Sequence, residues 1–110
     1  MIDICQKKTY NKNMTWKIEF TATAHKQIKK LSSKAFDALR LLVKDLQKNG
    51  ANPGIGWSNY GKLHGKKTED KRHCHLIKGR PTYVCCWTVI DKKTKIIEVY
   101  YVGTHERAPY

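Results

Sequence analysis

The patterned part of the chain begins with an alternation of apolar and polar residues. Trp16, Ile18 and Phe20 alternate with Lys17 and Glu19. A period of two residues places these apolar side chains on one face of an extended segment. The pattern predicts a half-buried first strand.

After this strand the spacing of apolar residues becomes helical. Ala24, Ile28 and Leu31 lie four and three residues apart, which predicts one stripe of a short helix. Ser32-Ser33 can cap a second helix, and Asn49-Gly50 provides its end. The apolar stripe predicted for this second helix consists of Phe36, Leu39, Leu42, Val43 and Leu46. We expect the two helices to form an antiparallel hairpin.

A loop and three strands are predicted for the second half of the chain. Residues 51–69 are rich in Gly, Asn, Lys and Pro and lack a helical pattern, so we expect a long loop with a short strand around residues 60–64. The three later strands are predicted at about residues 72–77, 82–90 and 95–102. The middle one is apolar on both faces, with Val84, Cys86 and Ile90 opposite Tyr83, Cys85, Trp87 and Val89. This pattern is typical of a central strand.

The order β-α-α-β-β-β predicts an α+β domain. In such a domain the helical hairpin covers one face of a mostly antiparallel sheet. A chain of 110 residues with 40% hydrophobic content can fill one modest core, which leaves the other face free for a ligand. Residues 1–13 are polar and without periodicity, so we expect a flexible N-terminal extension before a single domain spanning residues 14–110.

The charge of the chain indicates the class of its partner. Lys and Arg number 22 against 9 Asp and Glu, which leaves a net charge of +13. Because such an excess of like charge destabilises a folded chain, it favours a polyanionic partner, nucleic acid first. An anionic membrane surface and an acidic protein are the alternatives.

The sequence also indicates the compartment of the protein. No apolar run is long enough to span a membrane, and residues 1–13 lack the apolar stretch of a secretory signal. The four cysteines form no spaced disulfide framework. We therefore expect a cytoplasmic protein with reduced thiols and no membrane-spanning segment, and nucleic acid rather than a membrane as its partner.

Three familiar motifs fail on chemical grounds. Residues 56–62 match the first seven positions of a P-loop, but Leu63 stands where a hydroxyl must reach magnesium. His73-Cys74-His75 does not make a zinc site, because alternation along a strand sends Cys74 to the face opposite the two histidines. Cys85-Cys86 lies in the most apolar strand, where burial raises the pKa of a thiol and suppresses its reactivity. The sequence predicts no metal or other cofactor.

Histidines among cationic residues are the candidates for chemistry. His64, His73, His75 and His105 lie in the second half of the chain, among many Lys and Arg. RNA carries its own nucleophile, the 2′-hydroxyl. Cleavage then needs a base for that hydroxyl, an acid for the departing 5′-oxygen and cations for the phosphate. Two histidines and several Lys or Arg meet these needs without a metal.

A series of short motifs runs in a fixed order along residues 15–110: Thr15-Trp16-Lys17-Ile18-Glu19-Phe20, Lys29-Lys30-Leu31, Lys62-Leu63-x-Gly65, the strand pair at residues 72–75 and 83–89, and Tyr101-Val102-Gly103-Thr104-His105. In this order the motifs resemble the RelE/ParE superfamily of bacterial toxin–antitoxin toxins. The strand Cys74-His75 and the late Gly103-Thr104-His105 are most similar to the YafQ branch. This resemblance implies a ribosome-dependent endoribonuclease that uses histidines as acid and base.

The resemblance assigns roles residue by residue. His75 matches the strand histidine of the branch and His105 matches its Gly-Thr-His histidine, while His64 falls in the region of another active-site histidine. Val84 stands where many RelE-type members have a catalytic Arg, which the YafQ branch also lacks. Gly79 or Arg80 stands where that branch has an active-site Asp, and Arg80 offers a phosphate contact instead.

The leading hypothesis is a type II toxin that cleaves mRNA in the ribosomal A site. His75 and His105 are the predicted acid/base pair, in an order that the sequence leaves open. The residues predicted to contact RNA are Lys62, His64, Arg72, His73, Arg80, Arg107 and Tyr110. The resemblance also implies an acidic antitoxin partner. Two alternatives remain: a ParE-like, non-catalytic inhibitor of DNA gyrase, and a basic RNA-binding module without catalysis.

Overall fold

The computed structural model describes residues 15–63 and 68–110. The predicted extension, residues 1–13, and the predicted contact residue His64 lie outside these ranges. The elements in chain order are β1 (Lys17–Phe20), α1 (Ala22–Ile28), α2 (Ser33–Asn49), β2 (Gly61–Lys62), β3 (Lys71–Ile77), β4 (Tyr83–Asp91), β5 (Ile96–Thr104) and a one-turn 3₁₀ helix (His105–Arg107). Within the described part of the chain, no helix has the length and apolar character needed to cross a membrane.

The described strands form a single sheet in the order β1-β5-β4-β3-β2. β1 runs parallel to β5, and the other neighbouring strands are antiparallel. β4 is the middle strand, as its apolar pattern predicts. The short strand expected in the loop is β2, which pairs with the edge of β3.

Both helices begin at side-chain caps, and the sequence predicts the one at Ser32. The Thr21 hydroxyl accepts a hydrogen bond from the backbone N–H of Ala24 at 3.1 Å, and the Ser32 hydroxyl accepts one from Ala35 at 3.2 Å. α2 ends at Gly50, whose positive φ of 86° suits glycine. A side chain at Gly50 would also meet the Trp16 indole at 2.9 Å, so this glycine lets β1 approach the end of α2.

The core lies between the helices and one face of the sheet. Its fully buried members on α2 are Leu39, Leu42, Val43 and Leu46, which pack against Cys74, Cys85, Trp87, Ile97, Val99 and Val102 of the sheet. Phe36, predicted in the same stripe, is only half-buried, and Ala35 is fully buried instead. Leu31 packs against the core from beyond the end of α1.

Two irregularities in the pairing of β4 with β5 change which face some residues occupy. A register shift after Cys86 leaves Tyr100 between the partners of Cys86 and Trp87, and both Tyr100 and Tyr101 pack against the second, smaller cluster of Val84 and Cys86. A second shift leaves Ile90 outside the pairing. Ile90 is 51% exposed and does not belong to the buried cluster of Val84 and Cys86.

The sheet face opposite the helices is partly covered. Val84, Cys86 and Tyr101 are buried there, with Tyr100 and Ala108 packed against them. Lys71 Nζ lies 5.0 Å from the centre of the Tyr100 ring. The middle of this face is therefore closed by tyrosines and by the segment after β5. We call the whole sheet face opposite the helices the histidine face, because His73 and His75 lie on it.

Candidate nucleic-acid site

Strand register places the histidines of β3 on the histidine face. His73 pairs with Cys86 and His75 with Val84, and both partners belong to the cluster on that face. Cys74 pairs with Cys85 in the core beneath the helices. The predicted separation of Cys74 from its two neighbours is confirmed, and it follows from the alternation of side chains along a strand.

Four aromatic rings come together at one end of this face. The ring centres of His75 and His105 are 5.4 Å apart, with the rings nearly perpendicular. Tyr110 lies 4.7 Å from His73 and 6.0 Å from His105, measured between ring centres. Two histidines of β3 thus meet one histidine and one tyrosine that follow β5.

The turn that carries His105 is held by two hydrogen bonds to backbone carbonyls. The Tyr101 hydroxyl donates a hydrogen bond to the Thr104 carbonyl at 2.7 Å. The backbone N–H of His105 donates to the Thr82 carbonyl at 2.8 Å, which ties the turn to the start of β4. A side chain at Gly103 would lie 2.7 Å from the Tyr101 hydroxyl oxygen. Gly103 is therefore needed for Tyr101 to reach Thr104 and set the direction of the chain at His105.

The surroundings of His73 and His75 favour their neutral forms. Burial lowers the pKa of His75, and the nearby His105 and Lys78 lower it further. The pKa of His73 is lowered by burial first and then by His75 and His105. The Nδ1 atoms of both rings are buried without a hydrogen-bond partner among the described residues. An imidazolium would place an unpaired N–H at each of these positions, which adds to the cost of the charged form.

A cleft of about 660 Å³ opens beside the paired histidines. Its lining comes from β3, from the turn between β3 and β4, and from the turn after β5: His75, Gly79, Arg80, Pro81, Thr82, His105 and Glu106. Arg80, predicted as a phosphate contact, is exposed and lies in this lining. Sequence reasoning missed Thr82 and Glu106, since their roles depend on how the two turns meet.

Arg72 and Lys62 do not join this group. Arg72 pairs with Trp87 of the helix-side core, and its guanidinium donates two hydrogen bonds of 2.9 Å to Asp70 and one of 2.6 Å to the Tyr60 hydroxyl. Lys62 pairs with Arg72 across the edge of the sheet, and its Nζ lies 3.9 Å from Asp70. Alternation along the strands turns both side chains away from His73 and His75, so any RNA contact of Lys62 or Arg72 would lie apart from the histidines.

Arg107, also predicted to contact RNA, is exposed in the 3₁₀ helix and is not among the residues that line the cleft.

The thiols of Cys74, Cys85 and Cys86 are fully buried. Burial raises the pKa of Cys74 and Cys86 to about 12 and raises that of Cys85 well above its usual range. These cysteines behave as small apolar residues, as predicted. In residues 15–63 and 68–110, no group of three or more His, Cys, Asp or Glu is placed to hold a metal ion.

Comparison with solved structures gives a similar fold. One similar chain belongs to the crystal structure of the archaeal RelE-RelB complex from Pyrococcus horikoshii OT3, with a TM-score of 0.64 and 21% sequence identity. The match covers 86% of the present chain and 100% of the other chain. No protein-family model and no curated protein matches the sequence. The predicted α+β, RelE-like fold is confirmed at the level of architecture.

Proposed function

We propose that this chain is the toxin of a type II toxin–antitoxin pair and that it cleaves mRNA on the ribosome. The observation that carries the proposal is the contact between His75 and His105 in the lining of a cleft in a strongly basic protein. A RelE-like fold supports the same conclusion, since the similar chain comes from a RelE-RelB complex. One fold serves several activities, so the argument rests on the site.

The chemistry proceeds through the RNA's own 2′-hydroxyl. A neutral imidazole takes the proton of that hydroxyl as its oxygen bonds to the adjacent phosphorus. The bond from phosphorus to the 5′-oxygen breaks, and a protonated imidazole gives its proton to the departing oxygen. We assign the base to His75, because its surroundings hold it neutral at physiological pH, and the acid to the exposed His105. Arg80, on the cleft wall, stabilises the charge that develops on the phosphate.

A partner of opposite charge fits the rest of the surface. In the proposed pair, a flexible acidic segment of the antitoxin folds over the basic protein and covers the cleft. Such a segment would neutralise part of the +13 charge and exclude mRNA at the same time. Co-expression with the product of a short acidic reading frame beside this gene should then restore growth.

The first test is made in cells. Induction of the wild-type chain should arrest growth and create new transcript 5′ ends within codons, and the His75→Ala/His105→Ala double variant should do neither. His25→Ala, on the exposed surface of α1, is the matched control. Growth arrest without new cleavage sites would reject the nuclease. If purified protein then blocked DNA supercoiling by gyrase, the ParE-like alternative would replace it.

The second test separates acid from base. On ribosomes programmed with mRNA in which sulfur replaces the 5′-bridging oxygen, the leaving group departs without protonation. Cleavage by His105→Ala should then recover toward the wild-type rate, whereas cleavage by His75→Ala should stay low. Recovery of His75→Ala instead would reverse the assignment.

A further inference from the structure

A carboxylate lies in the cleft of this basic protein. Among the described residues that line the cleft, Glu106 has the one acidic side chain, and it directly follows His105 in the 3₁₀ helix. The side chain is exposed, and within the described ranges it forms no ion pair, even though Arg80 lines the same cleft. By contrast, Glu69 and Asp70 near the edge of the sheet are each paired with a cation.

This placement is unfavourable for binding a phosphate. A carboxylate repels the RNA backbone, and in a protein of charge +13 a neutral side chain at this position would bind phosphate better. An ionised carboxylate only accepts hydrogen bonds, through two oxygens that can act together. The group that meets Glu106 must therefore offer donors, which in RNA are the ribose 2′-hydroxyl and the N–H groups of the bases. A hydroxyl offers one donor, so the group that engages both carboxylate oxygens is a base edge with two neighbouring N–H groups.

Guanine fits a carboxylate best among the four bases. Its Watson–Crick edge carries two neighbouring donors, the N1–H and the 2-amino group, which match two carboxylate oxygens. Adenine and cytosine place an acceptor nitrogen beside their amino group, and uracil flanks its N–H with two carbonyls. Recognition of single-stranded RNA commonly combines such edge contacts with stacking on an aromatic side chain.

The neighbouring ring supplies the stacking surface. Tyr110 is 49% exposed, and its ring centre lies 6.0 Å from that of His105, the residue that Glu106 follows. We infer that Glu106 is a specificity-determining residue that recognises a guanine while Tyr110 stacks on it. This inference rests on the proposed function, because it assigns a base preference to the same cleft.

The experiment uses translating ribosomes halted on defined A-site codons. Guanine is placed at each codon position in turn and compared with adenine, cytosine, uracil and inosine, which lacks the 2-amino group. The wild-type protein should cleave fastest with guanine at one position, and inosine there should slow cleavage about tenfold, as expected for the loss of a bidentate base contact. Glu106→Gln should lose this preference.

The control variant removes one negative charge far from the cleft. Asp37→Asn lies on α2, where the Asp37 side chain is 71% exposed, and it should keep the wild-type ranking of codons. Unfolding in urea should show that both variants are as stable as the wild-type protein.

The possible outcomes separate this inference from the function on which it rests. Wild-type cleavage without a guanine preference, or a preference that Glu106→Gln retains, would overturn the inference and leave the nuclease intact. An equal loss at every codon in Glu106→Gln, with an altered pH profile, would mean that Glu106 transfers a proton and would also overturn it. If the wild-type protein cleaved no codon at all, the proposed function itself would fail. The inosine comparison needs no variant, so it holds whether or not Glu106→Gln folds.

Discussion

The position of His105 depends on a glycine two residues before it. Gly103 leaves space for the Tyr101 hydroxyl, which in turn binds the Thr104 carbonyl. The Gly-Thr-His motif therefore reflects packing: the small Gly103 leaves room for the tyrosine that binds the backbone of Thr104. The histidine belongs to the proposed chemistry, and the glycine positions it through a buried tyrosine.

Replacing this glycine should disturb both stability and the site. In Gly103→Ala the new methyl group would lie 2.7 Å from the Tyr101 oxygen, so the phenol or the strand must shift. Overpacking of this kind costs about 1–3 kcal/mol of unfolding free energy, measured in urea. The contact between the His75 and His105 rings should weaken in NMR spectra.

Gly56→Ala is the matched control, because a side chain there meets nothing within 4 Å. It should leave stability unchanged or raise it slightly. If Gly103→Ala were as stable as Gly56→Ala, the proposed role of Tyr101 would be wrong.

Histidine protonation should make the protein less stable in mild acid. The pKa values of His73 and His75 are lowered in the folded state, so between those values and the ordinary value of about 6.5 the unfolded chain binds more protons. Stability should therefore be highest above pH 6.5 and fall as pH decreases below it. The groups facing these rings are His105, Lys78 and Tyr110.

Urea unfolding at pH 7.5 and 5.5 measures this effect. The wild-type protein should unfold at a lower urea concentration at pH 5.5, and the double variant His73→Asn/His75→Asn should show a smaller difference. Linkage limits each titrating group to about 1.4 kcal/mol per pH unit. His25→Asn on the surface of α1 controls for the loss of an imidazole. An unchanged difference in the double variant would contradict the assignment.

At the level of elements, contacts on the helix side of the sheet hold the β2–β3 edge in place. Arg72 of β3 joins Asp70 and Tyr60, and the Tyr60 ring stacks on Trp87 with ring centres 6.2 Å apart. The backbone N–H of His75 donates to the Ser58 carbonyl at 2.8 Å. The loop before β2 is thus bound to the strand that carries the histidines.

Arg72→Lys should loosen this edge. A lysine cannot make the bidentate contact with Asp70 and also reach Tyr60, so we expect a loss of about 1–3 kcal/mol in unfolding free energy. Hydrogen exchange should speed up at the Leu63 N–H, which donates to the Lys71 carbonyl between β2 and β3. Arg40→Lys, whose exposed ion pair with Asp37 spans 3.9 Å, should change stability by less than about 0.5 kcal/mol. Equal losses of unfolding free energy in the two variants would show that Arg72 does not stabilise this edge of the sheet.

For the whole molecule, the relevant quantity is the charge of +13. Its effect on the proposed binding of RNA is long-range and is shared among many Lys and Arg side chains. Binding to single-stranded RNA should release counterions, and contact with four phosphates would weaken affinity roughly fiftyfold between 50 and 200 mM salt.

Fluorescence anisotropy with a labelled oligonucleotide measures this slope. Arg80→Gln should make the slope shallower by close to one phosphate contact, since Arg80 lies in the cleft. Arg40→Gln on α2 should leave it nearer the wild-type value. A binding constant insensitive to salt would argue against a nucleic-acid partner.

Local pattern alone determined most of the elements. The alternation around Ile18, the helical stripe from Leu39 to Leu46 and the doubly apolar β4 each predicted an element that the structure contains, because burial of apolar side chains imposes a period on each type of element. Alternation also placed His73 and His75 on one face. The order of motifs, through its resemblance to the RelE/ParE superfamily, predicted the RelE-like fold.

Only the tertiary structure decided which cationic and acidic side chains share the cleft. Arg72 and Arg80 are both arginines near β3, and no sequence pattern separates their roles. Arg72 binds Asp70 on the helix side of the sheet, whereas Arg80 lines the cleft with His105. Glu106 enters the site because two turns distant in sequence meet there, and the irregular pairing at Tyr100 and Tyr101 could not be foreseen from a regular period. Periodicity reports the face of a single element, whereas a site depends on contacts between elements, which packing and strand register determine.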